Sequence, residues 1–409
     1  MNVLIIGNGG REHAIAESLN KSPLLTKLYI ANGNYGTSKI AVNVDLNINH
    51  NHEILSFSLD NQINLVIIGP EHVLANGLVD VLEDNDILVL GPRLKAAQIE
   101  TSKEFAKELM LEHNIPSASY QRFDDYIKAL DYILKLDAYP IVIKYDGLAS
   151  GKGVFITKTL EESKDVLDKL LQKRELGNDS IIIEEFLEGD EFTLLALVNG
   201  ENVYPFQVAR DFKRIGVNDT GLNTGGMGAI CPYDKVSPLI LNKAHIILKT
   251  TAKALKDSGN PFKGVLYGGF ITKGDDLKVI EFNARFGDPE TECVLNNLDS
   301  DLLEHILNLL NDKQVNMKFK DQVSCGVVLS APGYPEHFDK YHNINEYMDS
   351  PYKVYHMASD IEDNNIISTG GRVLMIVNSA PNKKEAFNKI YDFLKDKKTL
   401  YYRSDLNKY

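Results

Sequence analysis

Long apolar runs are missing from this chain. The N-terminus, "MNVLIIGNGGREH", has four consecutive apolar residues and no basic stretch before them, so it does not read as a signal peptide. No run approaches the roughly 18 apolar residues of a membrane span, and no membrane partner is expected. Cysteine is scarce as well. Cys231, Cys293 and Cys325 lie far apart with no CxxC spacing, which suggests neither a zinc site nor a disulfide framework. They read as buried free thiols. Positive charge is in deficit, with 44 Lys and Arg against 57 Asp and Glu, for a formal net charge of -13. That balance argues against nucleic acid as the main partner, although a local basic patch can still hold phosphates. Repeats and low-complexity tracts are absent. A cytoplasmic protein fits these absences best; small-molecule partners and a monomer are separate expectations that the absences do not decide.

What is present is ordinary globular material: 44% apolar and 25% charged residues over 409 positions, too long for one core, so two or three domains are expected. In the first hundred residues the strands "NVLIIG", "KLYIA", "NLVIIG" and "DILVLG" alternate with helical stretches, the pattern of a doubly wound parallel sheet. Ligands in such sheets bind at the carboxyl ends of the strands, here "GNGGREH", "NGNYG", "GPE" and "GPR". Beyond Thr101 the texture changes. "SKEFAKELMLEHN" reads as an amphipathic helix and "YPIVIKYDGLASGKGVFIT" as strand, glycine loop and strand. "SIIIEEFLEGDEFTLLALV" reads as two strands around an acidic turn, and a helix is expected near Ser237–Asp257. A strand pair "GVLYGGFIT" and "LKVIEFN" follows, then a helix near Ser300–Asn311 and a small α+β unit at the end.

Gly7, Gly9 and Gly10 invite the dinucleotide fingerprint, but Glu12 stands at the third glycine position and no acid ends "KLYIA". The turn still offers backbone N–H groups to an anion, with Arg11 and His13 in the first helical turn, so a phosphate-bearing small molecule fits better than a dinucleotide. "KYDGLASGKGV" (Lys144–Val154) has three residues between Gly147 and Gly151, one short of Walker A. A glycine loop tipped by Lys152, with Lys144 on the strand before it, suits nucleotide phosphates and closure over them. "IIIEEFLEGDEF" taken alone reads first as a solvated hairpin; the functional alternative has the backbone of Glu185–Leu187 read a purine edge and Glu191 accept from ribose hydroxyls. In "VIEFNARFGDPETE" an acid sits inside an apolar strand, which is costly without a partner. Glu281 and Asn283 are expected on one face, opposite Ile280 and Phe282. Two oxygen donors on one face suit Mg²⁺, which completes its shell with water and phosphate.

These stretches, with "GPE", "NTGGMGA" and "GGRVL", make the chain similar over nearly its whole length to the glycinamide ribonucleotide synthetases (phosphoribosylamine–glycine ligases), ATP-grasp enzymes of purine synthesis. The resemblance implies an α/β chain in three parts. Residues 1–100 would form a doubly wound domain holding the phosphoribosylamine, and 101–320 an ATP-grasp unit with a mobile subdomain over about 118–190. Residues 321–409 would form a small C-terminal α+β domain. By position, Lys103, Lys144, Lys152, Glu184, Glu185, Leu187 and Glu191 would serve ATP, and Glu281 and Asn283 would hold Mg²⁺ or Mn²⁺. Lys152, Asp211, Lys213, Arg214, Arg285 and Asp288 would face the reaction centre. Gly9, Gly10, Arg11, Pro70, Glu71, Asn223 and Thr224 would bind substrate. The implied reaction ligates glycine to 5-phosphoribosylamine through a glycyl phosphate.

The chain departs from the family pattern at several points. "RDFKR" replaces "QDHKR", "GLNTGGMGAI" replaces "GPNTGGMGAY", and "DPETE" replaces "DPETQ", which singles out Arg210, Phe212, Leu222, Ile230 and Glu292. A diverged ligase with another amino acid or amine is the alternative. Intact Lys152, Glu281 and Asn283 argue against a catalytically quiet nucleotide-binding protein. Since Arg210 and Glu292 both stand where the family has Gln, and carry opposite charges, they are expected to pair near the substrate site.

Overall fold

The computed structural model describes residues 1–136, 138–149, 153–177 and 180–409. Strands β1 (Asn2–Ile6), β2 (Lys27–Ala31), β3 (Val42–Val44), β4 (Ile63–Ile68) and β5 (Leu88–Leu90) form a parallel sheet in the order β3-β2-β1-β4-β5. Both faces are covered. Leu4 and Ile6 join one apolar cluster while Val3 and Ile5 join another, which is why these strands read as continuous apolar runs. The doubly wound reading of this region holds, with β3 added as a three-residue edge strand.

Strands β6 (Tyr120–Phe123), β7 (Ile141–Tyr145), β8 (Val154–Thr157) and β9 (Ile181–Glu185) make an antiparallel sheet, β6-β9-β7-β8. It has its own core, built on Ile133, Ile143, Leu170 and Ile183. A second antiparallel sheet takes β10 (Asp190–Asn199), β11 (Asn202–Pro205), β16 (Lys263–Lys273) and β17 (Asp276–Asn283), in the order β11-β10-β16-β17. The strands on either side of the acidic turn, β9 and β10, therefore belong to different sheets. They are not a hairpin, and residues 186–189 form the crossing between two layers.

A fourth group of strands closes the molecule. β12 (Arg210–Asp211) and β15 (Gly228–Cys231) join β18 (Val323–Ser330), β22 (Arg372–Ala380) and β19 (Lys353–His356) in the order β12-β15-β18-β22-β19. Two strands from the middle of the chain are thus sewn into the C-terminal sheet. The small pairs β13 (Arg214–Gly216) with β14 (Thr220–Asn223), and β20 (Ser359–Glu362) with β21 (Asn365–Ser368), complete the strands.

Helix boundaries follow local chemistry. Ser237 caps the Pro238–Asp257 helix through Ile240 N, with proline in its first turn where no N–H is needed. Asp301 accepts from Leu303 N and Glu304 N to start Leu302–Leu310, which buries Leu302, Leu303, Ile306 and Leu309 along one stripe.

Candidate active-site cleft

Two neighbouring hollows, about 450 and about 180 Å³, open between the β6–β9 and β10–β17 sheets and share Lys144, Glu184, Glu281, Asn283 and Arg285 as walls. The β17 wall is made by a bulge. Gly269 faces Glu281 while the next residue, Phe270, faces Val279, so Ile280 is an extra residue. The extra residue reverses the phase of the strand. Leu277, Val279 and Phe282 go into the core, and Ile280, Glu281 and Asn283 line the cleft. Glu281 and Asn283 share a face as expected. Ile280 does not lie opposite them with Phe282; the bulge brings it to their side.

Neither the Glu281 nor the Asn283 side chain has a hydrogen-bond or ion-pair partner among the described residues, and both are only half-buried. A carboxylate and an amide oxygen left free at a cleft wall fit a hard divalent cation. No group of three His, Cys, Asp or Glu capable of holding a metal occurs among the described residues.

Opposite stand the lysines. Lys144 Nζ lies 2.8 Å from Glu184 Oε2 and donates to Ile280 O at 3.3 Å, which leaves one of its three N–H groups for a ligand. Lys107, not singled out in the sequence, holds the other Glu184 oxygen at 3.2 Å and donates to Ala118 O. Lys103, Ala106, Lys107 and Met110 line the smaller hollow with helical spacing. Two lysines on the buried stripe of a helix were the available signal. Burial lowers the pKa of both Lys103 and Lys107, opposed by Glu281 for the first and Glu184 for the second. Lys103 donates to Gly147 O at 3.1 Å, and Asp146 caps its helix through Lys103 N and Glu104 N. Lys152 and Gly151 lie outside the described residues.

Glu185 pairs with Lys278 at 2.7 Å and accepts from Ser119 N; Leu187 and Glu191 line the larger hollow. Lys213 is clasped by both Asp211 oxygens at 2.8 and 2.9 Å and lies 3.7 Å from Glu191. Thr224 donates to Lys213 O and, with Asn223 and Arg214, lines the same wall. Arg214 donates to Gly221 O at 2.9 Å, closing the β13–β14 turn.

The corner after β17 is densely paired. Arg285 meets Glu100 at 3.0 Å and Glu71 at 3.8 Å, and Glu100 also accepts from Ala284 N. Asp288 lies 2.8 Å from Arg372 of β22, which donates as well to Gly225 O and Asp288 O. Arg372 belongs to "GGRVL", read in the sequence only as a family stretch. Its partners lie 84 and 147 positions away, a separation no local pattern reports. Glu290 was likewise missed. It lies buried with its Oε1 within 3.0 Å of the Thr193 and Tyr267 hydroxyls, its pKa raised by burial and by Asp211.

The N-terminal glycine turn packs on this corner. Gly7 has φ +117, a conformation that favours glycine. Glu12 accepts from Gly9 N and from Arg11 Nε, both at 2.6 Å, so a carboxylate occupies the turn where a dinucleotide motif needs glycine. Arg11 is further committed to Phe286 O, and its N–H reaches Asp288 at 3.4 Å. Pro70 precedes the Glu71–Ala75 helix, and Glu71 lines the smaller hollow.

The expected Arg210–Glu292 pair does not form. Arg210 donates to the Tyr233 hydroxyl at 2.5 Å, lies 3.8 Å from Asp190, and stacks among Phe212, Tyr233 and Tyr409. Glu292 is fully buried beside Gly10 with neither oxygen hydrogen-bonded. Opposite charges at two sequence positions say nothing about distance, and here different elements carry them to different neighbours.

Two antiparallel sheets clasping a lysine- and acid-lined cleft are the architecture of the ATP-grasp class. The biotin carboxylase of Campylobacter jejuni shares this fold at TM-score 0.75 and 13% identity, covering 98% of this chain and 91% of that one. Models of the phosphoribosylglycinamide synthetase N domain, ATP-grasp (A) domain and C domain match residues 1–100, 101–291 and 324–408. The chain belongs to the phosphoribosylglycinamide synthetase family, an ATP-grasp ligase family. The phosphoribosylamine–glycine ligase of Halalkalibacterium halodurans is 41% identical over 99% of this chain and 96% of its own length. That of Streptococcus pneumoniae is 39% identical over 99% of both. The crystal structure of phosphoribosylamine–glycine ligase from Thermotoga maritima superposes at TM-score 0.86 with 28% identity, covering 99% of this chain and all of that one.

Proposed function

We propose that this chain ligates glycine to 5-phosphoribosylamine with ATP, giving glycinamide ribonucleotide, ADP and phosphate in purine biosynthesis. The observation that carries the reading is the end-to-end match, at about 41% identity, to relatives named for that reaction. A ligase for another amino acid or amine has no observation in its favour.

A carboxylate is a poor electrophile because its leaving group is oxide. Transfer of the ATP γ-phosphoryl to glycine gives glycyl phosphate and ADP. The amine nitrogen then attacks the carbonyl carbon, the C–N bond forms, the bond to phosphate breaks, and the amine proton is lost. Such chemistry asks the protein for positioning and charge rather than a nucleophile. Lys103 and Lys144 face the phosphates, Lys144 aimed by Glu184, with Lys152 assigned to the same task. The backbone of Glu185–Leu187 takes the purine edge and Glu191 the ribose. Glu281 and Asn283 would hold Mg²⁺ or Mn²⁺, which would offset phosphate charge. Asp211, Lys213, Arg214, Arg285 and Asp288 surround the reacting groups. Gly9, Gly10, Arg11, Pro70, Glu71, Asn223 and Thr224 bind substrate, although the Gly9 N–H is already given to Glu12 and Arg11 Nε and Nη1 to Glu12 and Phe286 O. Among the described residues no helix is long and apolar enough to cross a membrane; a cytoplasmic monomer acting on small molecules is the form proposed.

ADP release with glycine and phosphoribosylamine, each omitted in turn, tests the proposal. Sustained release should need both. Turnover without either, or only with a different amino acid, would refute it.

A further inference from the structure

Glu292 has no role in that reaction scheme, and its surroundings are unusual. It is 0% exposed, and neither carboxyl oxygen has a hydrogen-bond partner. Its Oε1 fills the space that a Cβ on Gly10 would need, so it lies directly beneath the glycine turn. Asp288, four residues earlier, lines the cleft, accepts from Arg11 N at 3.4 Å and meets Arg372 at 2.8 Å.

Every element packed around Glu292 can be inspected for groups that would hold a charge. Its own segment presents Asp288, Glu290 and the Cys293 thiol, with Cys231 of β15 and Cys325 of β18 behind that thiol. β22 presents Arg372, whose Nη1 is taken up by Asp288 and by the carbonyls of Gly225 and Asp288. β19 presents the Tyr355 phenol, and beyond it Met357 packs on Gly10. The Gly10–Leu19 helix presents Gly10 itself, with its Glu17 and His13 side chains packed against the Tyr355 ring. Two or more carboxyls therefore gather around one guanidinium whose bonds are spent on the other member of the pair. An ionised carboxylate with no donor, in a dry site, is strongly disfavoured, and the second of two neighbouring carboxyls keeps its proton.

We infer that Glu292 keeps its proton at neutral pH and stands as the neutral positioning residue behind Asp288, which forms the cleft wall with Arg372. Burial, with Asp288 adding to it, pushes the Glu292 carboxyl well above the usual carboxylate range, in agreement with the geometry. The functional value of Asp288 rests on the reading of the cleft given above; the location of the proton does not.

Infrared difference spectroscopy of the whole ligand-free protein at neutral pH tests this, since a protonated carboxyl has a carbonyl stretch that a carboxylate lacks. Glu292→Gln should lose one such band relative to wild type, and Asp288→Asn should keep it. Where the amide does not fold, Glu292→Met removes the carboxyl at similar volume and should lose the same band. Loss of the band in Asp288→Asn, in both variants, or in neither would overturn the assignment. ADP release by Asp288→Asn is read separately. Undiminished turnover would remove Asp288 from the reaction centre while the spectra still decide where the proton lies.

Discussion

The two ends of the 279–292 segment are built in opposite ways. At Glu281 and Asn283 the polar atoms point into the cleft without a protein partner. A few residues on, Arg285 and Asp288 are clasped by Glu71, Glu100 and Arg372, drawn from both terminal regions of the chain. The first end is left open to the cleft, where the proposed function places a ligand, and its side chains make no hydrogen bond or ion pair within the fold. The second is finished by the fold itself, and it fixes where the cleft's corner stands. Polar groups that look alike in one dozen residues thus divide between ligand and scaffold, and the divide is set by what the rest of the chain brings to each.

The comparison can be broken by substitution. The largest effect should be on turnover. Glu281→Gln keeps shape and removes charge, so ADP release should fall by about 10²–10³-fold and require more Mg²⁺, as measured by titrating the metal. Full activity at ordinary Mg²⁺ would put Glu281 with the scaffold.

Next comes the scaffold end. Arg372→Ala strands Asp288 and frees the carbonyls of Gly225 and Asp288. It should destabilise the fold by about 2–4 kcal/mol, the pair being not fully buried, as measured by denaturant unfolding. A stability change under about 0.5 kcal/mol would contradict a structural role for the corner.

The seam behind the glycine turn adds a pH dependence. His356 N donates to His13 Nδ1 at 2.9 Å, and burial pushes the pKa of His13 down to about 4 and of His356 down to about 3. Both folded values lie below the unfolded 6.5, so the unfolded chain takes up protons first as pH falls. Stability is complete above about pH 6.5 and declines from there toward about pH 4, by up to about 1.4 kcal/mol per pH unit for each histidine. His356→Gln should make the slope of melting temperature against pH shallower over that window; an unchanged slope would show the imidazole titrating normally.

The smallest effect belongs to Tyr267→Phe, which removes one of the two hydroxyls on Glu290 Oε1. A loss of about 1 kcal/mol in unfolding free energy is expected, with Thr193 still in place.

Sequence carries local periodicity well and distant partnership poorly, and the molecule divides along that line. The parallel strands were legible because both faces of Val3–Ile6 are apolar, and helix 238–257 because serine and proline mark its start. Three-residue β3 gives no periodic signal. The bulge at Ile280 was hidden because a phase reversal depends on what β16 offers across the ladder. The sheet change between β9 and β10 looks in sequence like any acidic turn. Of the site, the glycine turns, Lys144 and the Glu281–Asn283 pair stood out because their residue types are costly where the local pattern puts them. Arg372, Lys107 and Glu290 did not, since each is explained only by a partner far along the chain. The Arg210–Glu292 expectation failed for the same reason.

Thermal melting of Glu281→Gln beside wild type, with and without Mg²⁺ and ATP, tests the division most directly. Without ligand the two should melt nearly together, because Glu281 has no hydrogen bond or ion pair to lose and only a through-space attraction to Lys103 and Lys213; with ligand, wild type should rise and the variant should rise far less. A variant that melts lower on its own, or that keeps the full ligand-induced rise, would contradict the assignment of Glu281 to ligand rather than to fold.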